Sequence, residues 1–124
     1  MEKEFEEFVD LVKKSIDRCP WLKNQTLEKY NEEVIEEANE ITKALESKDV
    51  GNLKEELGDL FWDVTVMAYL AEKEGHFKAG EIVASVKKKM KGRKPFILGE
   101  KKEVSMEDAK RMWNEAKIKE KGGL

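Results

Sequence analysis

The 124-residue sequence is poor in residues that form disulfides or nitrogen- and sulfur-ligated metal sites, with one cysteine, one histidine and two prolines. Cys19 is alone and cannot form a disulfide within the chain, which is usual for proteins of reducing compartments. Neither Cys19 nor His76 has a visible base, nucleophile or ligand partner, so we interpret them as a packed thiol and a loop residue. We therefore expect a cytoplasmic protein.

Long apolar segments and a strong excess of one charge are also missing. No segment approaches the ~20 apolar residues that span a bilayer, and no charged-then-apolar start predicts a signal peptide. The net charge of −3 gives no overall attraction to nucleic acids or anionic membranes. We predict neither a membrane nor a nucleic acid as a partner, and the length predicts a single domain over residues 1–124.

Charged residues make up 41% of the chain, chiefly 21 lysines and 21 glutamates. Both residue types favour helices, whereas the alternating β-branched runs that are typical of strands are nearly absent. The same composition occurs in hyperthermophiles, which makes a thermophilic source a hypothesis. With 40% hydrophobic residues available for a core, the predicted fold class is all-α.

Apolar residues at helical spacing predict an antiparallel bundle of about five helices. Thr26 is a predicted N-cap, Gly75 a left-handed helix end, Gly92 with Pro95 a helix stop, and Ser105 the start of a capping box. In chain order, the predicted segments are residues 2–17, a helix from Thr26 to a turn at 47–51, residues 52–74, residues 79–91, a loop at 94–104, and a last helix from Ser105 to a frayed end at 122–124.

The third predicted helix is apolar on nearly all sides between residues 57 and 71. Such a helix in so small a domain needs cover on both sides. We expect a second subunit to complete the core, which predicts a homodimer or a homotetramer.

Among the acidic residues of the second and third predicted helices, five have a spacing that could bring them together: Glu36, Glu37, Glu40, Glu56 and Asp59. Residues three positions apart share a helix face. An antiparallel helix pair turning near Asp49 places Glu40 between Glu56 and Asp59, with Glu37 and Glu56 at the border of the apolar faces. The carboxylates are therefore expected to meet at one level.

Carboxylates gathered in one place repel each other, and some pKa values rise, unless a divalent cation neutralises them. Oxygen ligands without histidine or cysteine indicate Mg²⁺, with Mn²⁺ as a substitute, rather than zinc. The alternative is a solvated acidic face. Gly58 favours the site, because a glycine inside a helix costs about 1 kcal/mol relative to alanine and indicates a close approach to the backbone.

Residues and motifs that are missing from the chain exclude some classes of metal-dependent chemistry. A carboxylate-bridged di-iron bundle needs two Glu-x-x-His pairs, and the single histidine excludes it. Mg²⁺ held by several carboxylates usually meets substrate phosphates, so we expect phosphoryl or nucleotidyl transfer to water or another acceptor. The chain has no Walker-type glycine loop for this purpose.

Several short segments carry a family resemblance. The acidic groups read E-E-A-N-E at residues 36–40 and E-L-G-D at residues 56–59, and the other segments are C-P-W at 19–21, Q-T-L at 25–27, A-E-K-E-G-H-F at 71–77, K-M-K-G-R-K-P at 89–95 and W-N-E-A-K-I-K-E-K at 113–121. Together, from about residue 19 to residue 120, the sequence resembles the MazG-type nucleotide pyrophosphohydrolases, an all-α family.

The resemblance implies Mg²⁺-dependent hydrolysis of a nucleoside triphosphate to the monophosphate and pyrophosphate. The substrates would be NTPs or dNTPs, including non-canonical ones in a house-cleaning role. Its implied metal ligands are Glu37, Glu40, Glu56 and Asp59, with Glu36 as an accessory acid that orients or deprotonates water.

The resemblance also implies substrate contacts, from Lys89, Arg93 and Lys117 to phosphate and from Trp21 and Trp113 to the base. Four positions depart from the family pattern and put substrate preference in question more than catalysis: Leu22, Gly92, Lys94 and Asp63. Asp63 lies one turn beyond Asp59 and is a candidate fifth carboxylate.

Purely structural roles are an alternative for several of these residues. The basic run at residues 87–94 is most simply a solvated helix face, and a tryptophan more often packs in a core than binds a base. Two alternative functions also remain: a nucleotide-binding or helical interaction module without turnover, and a narrower dUTP, dCTP or phosphoribosyl-ATP pyrophosphohydrolase.

Overall fold

The computed structural model describes residues 1–99 and 103–122, and all regular secondary structure within them is helical. The all-α prediction is confirmed. None of the helices in these ranges is long and apolar enough to cross a bilayer. The elements are α1 (Glu2–Arg18), α2 (Pro20–Lys23), α3 (Leu27–Glu46), α4 (Val50–Lys73), α5 (Ala79–Arg93), a 3-10 helix (Pro95–Ile97) and α6 (Met106–Gly122).

Side-chain caps account for where α3, α4 and α6 begin. The predicted N-cap Thr26 accepts a hydrogen bond from the Lys29 amide at 3.3 Å, and Ser105 accepts one from the Asp108 amide at 3.1 Å. Helix α4 begins two residues earlier than predicted, because Asp49 accepts a hydrogen bond from the Asn52 amide at 3.1 Å. The turn between α3 and α4 is therefore shorter than predicted.

The predicted helix stop at Gly92 with Pro95 is wrong for Gly92, and the helix ends only before Pro95. Helix α5 continues to Arg93, and the Lys94 amide still donates to the Met90 carbonyl at 2.8 Å. A helical glycine weakens a helix but keeps its N–H donor, whereas Pro95 lacks that donor and forces the residue before it out of the helical region. Residues 100–102 of the predicted loop and 123–124 of the predicted frayed end lie outside the described residues.

The chain forms two compact units, Met1–Ala79 and Gly80–Leu124. In the first unit, α3 and α4 form a helical hairpin, and α1 and α2 pack beside it. Leu22, at a position where the sequence departs from the family pattern, is 3% exposed and belongs to the core. The core residues are Val12, Ile16, Leu22, Tyr30, Val66 and Leu70, with Cys19 packed against them.

Three successive residues at the end of α4 bind backbone groups of other segments. The Glu72 carboxylate accepts from the Ala79 amide at 3.0 Å, the Lys73 ammonium donates to the Lys23 carbonyl at 3.2 Å, and the Glu74 carboxylate accepts from the Leu27 amide at 3.0 Å. Each charge suits the helix end that it contacts, since N-termini carry partial positive charge and C-termini partial negative charge. We call Glu72–Glu74 the anchoring turn.

Gly75 directly follows the anchoring turn with φ of +85°, as the sequence predicts for a left-handed helix end. This conformation is strained for residues that carry a side chain beyond Cα. The chain can therefore reverse immediately after α4 without disturbing the three contacts.

In the second unit, Arg93 at the end of α5 contacts two residues of α6. Its guanidinium forms an ion pair with Glu120 at 3.0 Å and lies 4.6 Å from the centroid of the Trp113 ring. The Arg93 side chain is only 13% exposed, and its charge lowers the pKa of Glu120. These contacts hold the C-terminal end of α5 against α6.

Burial along α4 is one-sided within the described chain. Val66 and Leu70 are buried, and Trp62 packs edge-on against Phe8 with ring centroids 6.0 Å apart. Three further apolar side chains of α4 are about half exposed: Leu57 (43%), Phe61 (58%) and Val64 (53%). We call these three residues the exposed α4 stripe.

Candidate metal centre

Three carboxylates from α3 and α4 converge at the interface between these helices. Glu37 from α3 meets Glu56 and Asp59 from α4, with one oxygen of each within 4.8 Å of the others. The i, i+3 spacing puts Glu56 and Asp59 on one helix face, and the α3–α4 packing brings Glu37 up to them. We call these residues the three-carboxylate cluster.

Glu37 is the most perturbed member of the cluster. Its Oε2 atom is buried and has no hydrogen-bond partner. Burial, followed by the hydrogen bond and charge of Glu56 and then the charges of Asp59 and Asp63, raises the pKa of Glu37 to about 8. At neutral pH the cluster thus holds a proton in order to limit its own repulsion.

The donor set of the cluster suits a hard divalent cation. Its three residues offer only carboxylate oxygens, which Mg²⁺ and Mn²⁺ prefer, and they supply no nitrogen or sulfur. A cation placed there would give the buried Glu37 Oε2 the partner that it lacks and would displace the proton. The residues present therefore fit a metal of the predicted class.

Glu40 and Glu36, the other two predicted acids, lie outside the three-carboxylate cluster. Glu40 forms an ion pair with Lys43 on its own helix at 3.1 Å, and Glu36 is exposed. The sequence register places Glu40 between Glu56 and Asp59, but the structure places Glu37 there. The observed register of α3 against α4 thus differs from the predicted one by about one helical turn.

Gly58 lies between the two α4 members of the cluster. A Cβ atom added to it would meet nothing within 4 Å among the described residues. Packing within the described chain therefore does not require a glycine there, and the backbone stays open beside the cluster.

Asp63, the candidate fifth carboxylate, is 7% exposed and lies next to the cluster without joining it. The Tyr30 hydroxyl donates a hydrogen bond to Asp63 Oδ1 at 2.8 Å. Burial raises the pKa of Asp63, and the Tyr30 hydrogen bond opposes that rise. Sequence reasoning assigned Tyr30 only to an apolar stripe, because nothing in the helical spacing indicated a partner 33 positions away.

Trp21 is the predicted base-stacking residue of the first unit. Its side chain is 54% exposed, and its ring lies 5.8 Å from the Tyr30 ring, measured between centroids. An exposed indole supported from one side by a buried ring presents its other surface to solvent, which is compatible with stacking on a base.

The remaining predicted substrate residues belong to the second unit. Lys89 and Arg93 share a face of α5, since the helix persists through Arg93. Lys89 and Lys117 are exposed, whereas Arg93 and Trp113 are half-buried and contact each other. Trp113 also lies 5.7 Å from the Lys94 ammonium, so cations already occupy the surroundings of its ring.

Comparison with known proteins identifies the family. A family model described as the MazG nucleotide pyrophosphohydrolase domain matches residues 25–98. This range contains every residue of the three-carboxylate cluster. It also contains Tyr30, Asp63, Lys89 and Arg93.

Curated relatives carry matching names. The chain is 32% identical to the nucleoside triphosphate pyrophosphohydrolase/pyrophosphatase MazG of Thermotoga maritima over 95% of its own length and 46% of that protein. It is 30% identical to the nucleoside triphosphate pyrophosphohydrolase of Escherichia coli K12 over 83% of its own length and 39% of that protein. The chain thus spans less than half the length of these relatives.

A solved structure extends the likeness to the fold. The crystal structure of a mazG-related protein from Thermotoga maritima superimposes with a TM-score of 0.85 at 31% identity. The match covers 91% of this chain and 98% of that one. The chain belongs to the MazG nucleotide pyrophosphohydrolase family.

Proposed function

We propose that the protein hydrolyses nucleoside triphosphates to the monophosphate and pyrophosphate, using Mg²⁺ held by the three-carboxylate cluster. The observation that carries this proposal is the convergence of the carboxylates of Glu37, Glu56 and Asp59, one of which, that of Glu37, has a buried oxygen without a hydrogen-bond partner. The family and the names of the relatives support the same reaction. Mn²⁺ would substitute for Mg²⁺, since both prefer oxygen ligands.

In the proposed reaction, water attacks either the α- or the β-phosphorus. The bond between the attacked phosphorus and the oxygen that bridges the two phosphorus atoms then breaks. Either cleavage yields monophosphate and pyrophosphate with release of a proton. The cation, when bound, neutralises phosphate charge and polarises the phosphoryl oxygens. The chain's part is to hold that cation between two rigid helices and to accept the proton.

Two acids outside the cluster have separate proposed roles. Glu36 is exposed one residue from Glu37, where a carboxylate can orient water or take its proton. Glu40 would become the fourth ligand by leaving Lys43, an exchange that costs little because exposed ion pairs are worth about 0–1 kcal/mol.

Cationic side chains are needed because a triphosphate with one Mg²⁺ keeps net negative charge. We assign phosphate contacts to Lys89, Arg93 and Lys117, and base stacking to Trp21 and Trp113. Of the cations, Lys89 is exposed and has no ion pair within the described residues. Arg93 must exchange Glu120 for phosphate, so Lys89 is the stronger candidate.

The exposed α4 stripe supports the assembly expected from the sequence. Leu57, Phe61 and Val64 follow one side of α4, and two apolar side chains of α3, Ile35 and Leu45, are 56% and 58% exposed. Apolar surface of this kind is stabilised when a second subunit covers it. We propose a homodimer or homotetramer, while the cytoplasmic location stays a prediction.

The first prediction concerns the reaction. With Mg²⁺, a panel of NTPs, dNTPs and modified nucleotides should release pyrophosphate and not orthophosphate. Asp59→Asn should abolish release without loss of helicity, because it removes one ligand charge and little volume. Release confined to dUTP, dCTP or phosphoribosyl-ATP would identify a narrower enzyme, and binding without release would identify a nucleotide-binding module.

The second prediction concerns pH and stability in the absence of metal. The folded protein holds the Glu37 proton up to about pH 8, whereas the unfolded chain releases it near the ordinary value of 4.5. This group therefore stabilises the metal-free fold at low pH, and the contribution is lost as pH rises from 4.5 to 8. Thermal unfolding in EDTA should show Tm falling over that window.

Glu37→Gln is the matched variant for the second prediction, because it removes the titrating proton and keeps the side-chain shape. Its Tm should fall less with pH than that of the wild type. Glu40→Gln serves as the control, since Glu40 is outside the cluster. Equal pH dependence in the wild type and Glu37→Gln would contradict the electrostatic account.

The third prediction concerns the phosphate contact of Lys89. Lys89→Ala should lower kcat/KM by roughly 10- to 150-fold, since charge-assisted hydrogen bonds are worth about 1.5–3 kcal/mol. Lys87→Ala and Lys91→Ala are controls on the same helix and should change kcat/KM little. If all three variants lose activity equally and mildly, and high salt removes the loss, the basic run only attracts substrate at long range.

The fourth prediction concerns assembly. Light scattering at micromolar concentration should give at least twice the chain mass of 14.4 kDa. Phe61→Lys should shift the protein toward monomer, because it places a charge on the apolar surface that the partner would cover. Lys54→Ala on the same helix is the control, and a monomeric wild type would refute the proposal.

A further inference from the structure

Asp63 is the single charged residue that is buried in the part of the chain that the structure describes. Taking a carboxylate out of water is costly unless hydrogen bonds or opposite charges compensate. No ion pair involves Asp63 among the described residues, and its compensation comes from the Tyr30 hydroxyl at 2.8 Å. Tyr30 itself is 1% exposed, so both partners of this hydrogen bond are fixed inside the first unit.

The buried pair lies next to the three-carboxylate cluster. Asp63 follows Asp59 by four residues on α4, so these two carboxylates lie one turn apart on the same helix face. Asp63 nevertheless lies outside the group of oxygens within 4.8 Å of one another. One of its two oxygens, Oδ1, is also occupied by the Tyr30 hydroxyl.

We infer that Tyr30 and Asp63 form a positioning pair: the hydroxyl of Tyr30 fixes Asp63 beside the three-carboxylate cluster, where Asp63 strengthens cation binding by its charge without ligating the cation. This inference rests on the proposed metal site. It assigns to Asp63 the outer position from which carboxylates orient ligands and raise their affinity for a metal. It assigns to Tyr30 the role of keeping that carboxylate in place.

The packing around Tyr30 explains why a tyrosine would serve here. Its ring belongs to the core cluster and contacts the Trp21 ring, while its hydroxyl alone reaches the acidic region. A phenylalanine would keep all ring contacts and lose only the hydrogen bond. The two contributions of Tyr30 can therefore be separated by a single oxygen atom.

The test measures binding of Mn²⁺ alone to the full chain by calorimetry. Asp63→Asn retains an acceptor oxygen for Tyr30 but removes the charge, and Tyr30→Phe removes the donor. We expect each variant to weaken Mn²⁺ binding by roughly tenfold, as is typical for outer partners of metal ligands. The double variant should bind no more weakly than Asp63→Asn, because Tyr30 acts through Asp63.

Thermal unfolding in EDTA separates weaker Mn²⁺ binding from damage to the fold, because a merely structural role of Asp63 would lower Tm and leave the Mn²⁺ affinity unchanged. Asp63→Asn should leave Tm unchanged or raise it, since it removes a buried charge, whereas Tyr30→Phe should lower Tm by leaving that charge without its donor. Tyr69→Phe is the matched control, because the Tyr69 hydroxyl makes no hydrogen bond within the described residues. It should change neither property.

Other outcomes would overturn the inference. Loss of all Mn²⁺ binding in Asp63→Asn, equal to that in Asp59→Asn, would make Asp63 a direct ligand. Unchanged affinity in both variants, with Asp59→Asn still inactive in binding, would leave the pair only a structural role. Additive losses in the double variant would show that Tyr30 acts independently, and normal binding by Asp59→Asn would refute the metal site itself.

Discussion

The packing of α3 against α4 is the constraint on which the rest of the structure depends. It holds three carboxylates together although they repel one another. The side chains that provide the packing lie on the same two helices as these carboxylates. Tyr30, Val66 and Leu70 supply apolar burial, while Glu37, Glu56 and Asp59 oppose it at the border of the same interface. The metal-free fold is thus less stable than this interface would allow, and binding of a cation would recover the difference.

Local signals in the sequence were enough to predict the five longer helices. Thr26, Ser105 and Gly75 occupy their predicted positions at helix ends because capping depends on a few neighbouring backbone groups. The prediction treated Gly92 and Pro95 alike as residues that end a helix. Gly92 does not end it, because glycine retains the N–H donor that a helix needs. The four-residue helix α2 was missed because it is too short to show a period.

Long-range arrangement was harder to predict from the sequence. The three clustered carboxylates are all among the predicted ligands, because their i, i+3 spacing and acidic character are visible in one dimension. Which α3 acid faces α4 depends on the register of the hairpin, and that register is set by the packing of the whole α3–α4 interface. Tertiary packing determines the hydrogen bond between Tyr30 and Asp63 and the burial of Leu22. No local sequence pattern predicts either feature.

The two candidate phosphate-binding cations of α5 differ in the contacts that they would lose on binding a phosphate. Arg93 already has an anion and an aromatic ring as partners, so a phosphate competes with contacts that also hold α5 to α6. Lys89 is exposed and has no ion pair within the described residues that a phosphate would have to replace. A single helix face thus combines a cation committed to structure with one available to a ligand.

The anchoring turn makes α4 a helix of fixed length. Glu72, Lys73 and Glu74 each contact a different backbone group, and Asp59, earlier on the same helix, must meet Glu37. Each residue added to a helix advances the following side chains by about 100° around its axis. One inserted or deleted residue between Asp59 and Glu72 would therefore turn all three anchors away from their partners at once. We therefore expect this stretch of the chain to tolerate substitutions but neither insertions nor deletions, because the number of residues between the acidic site and the anchoring turn is fixed by both ends.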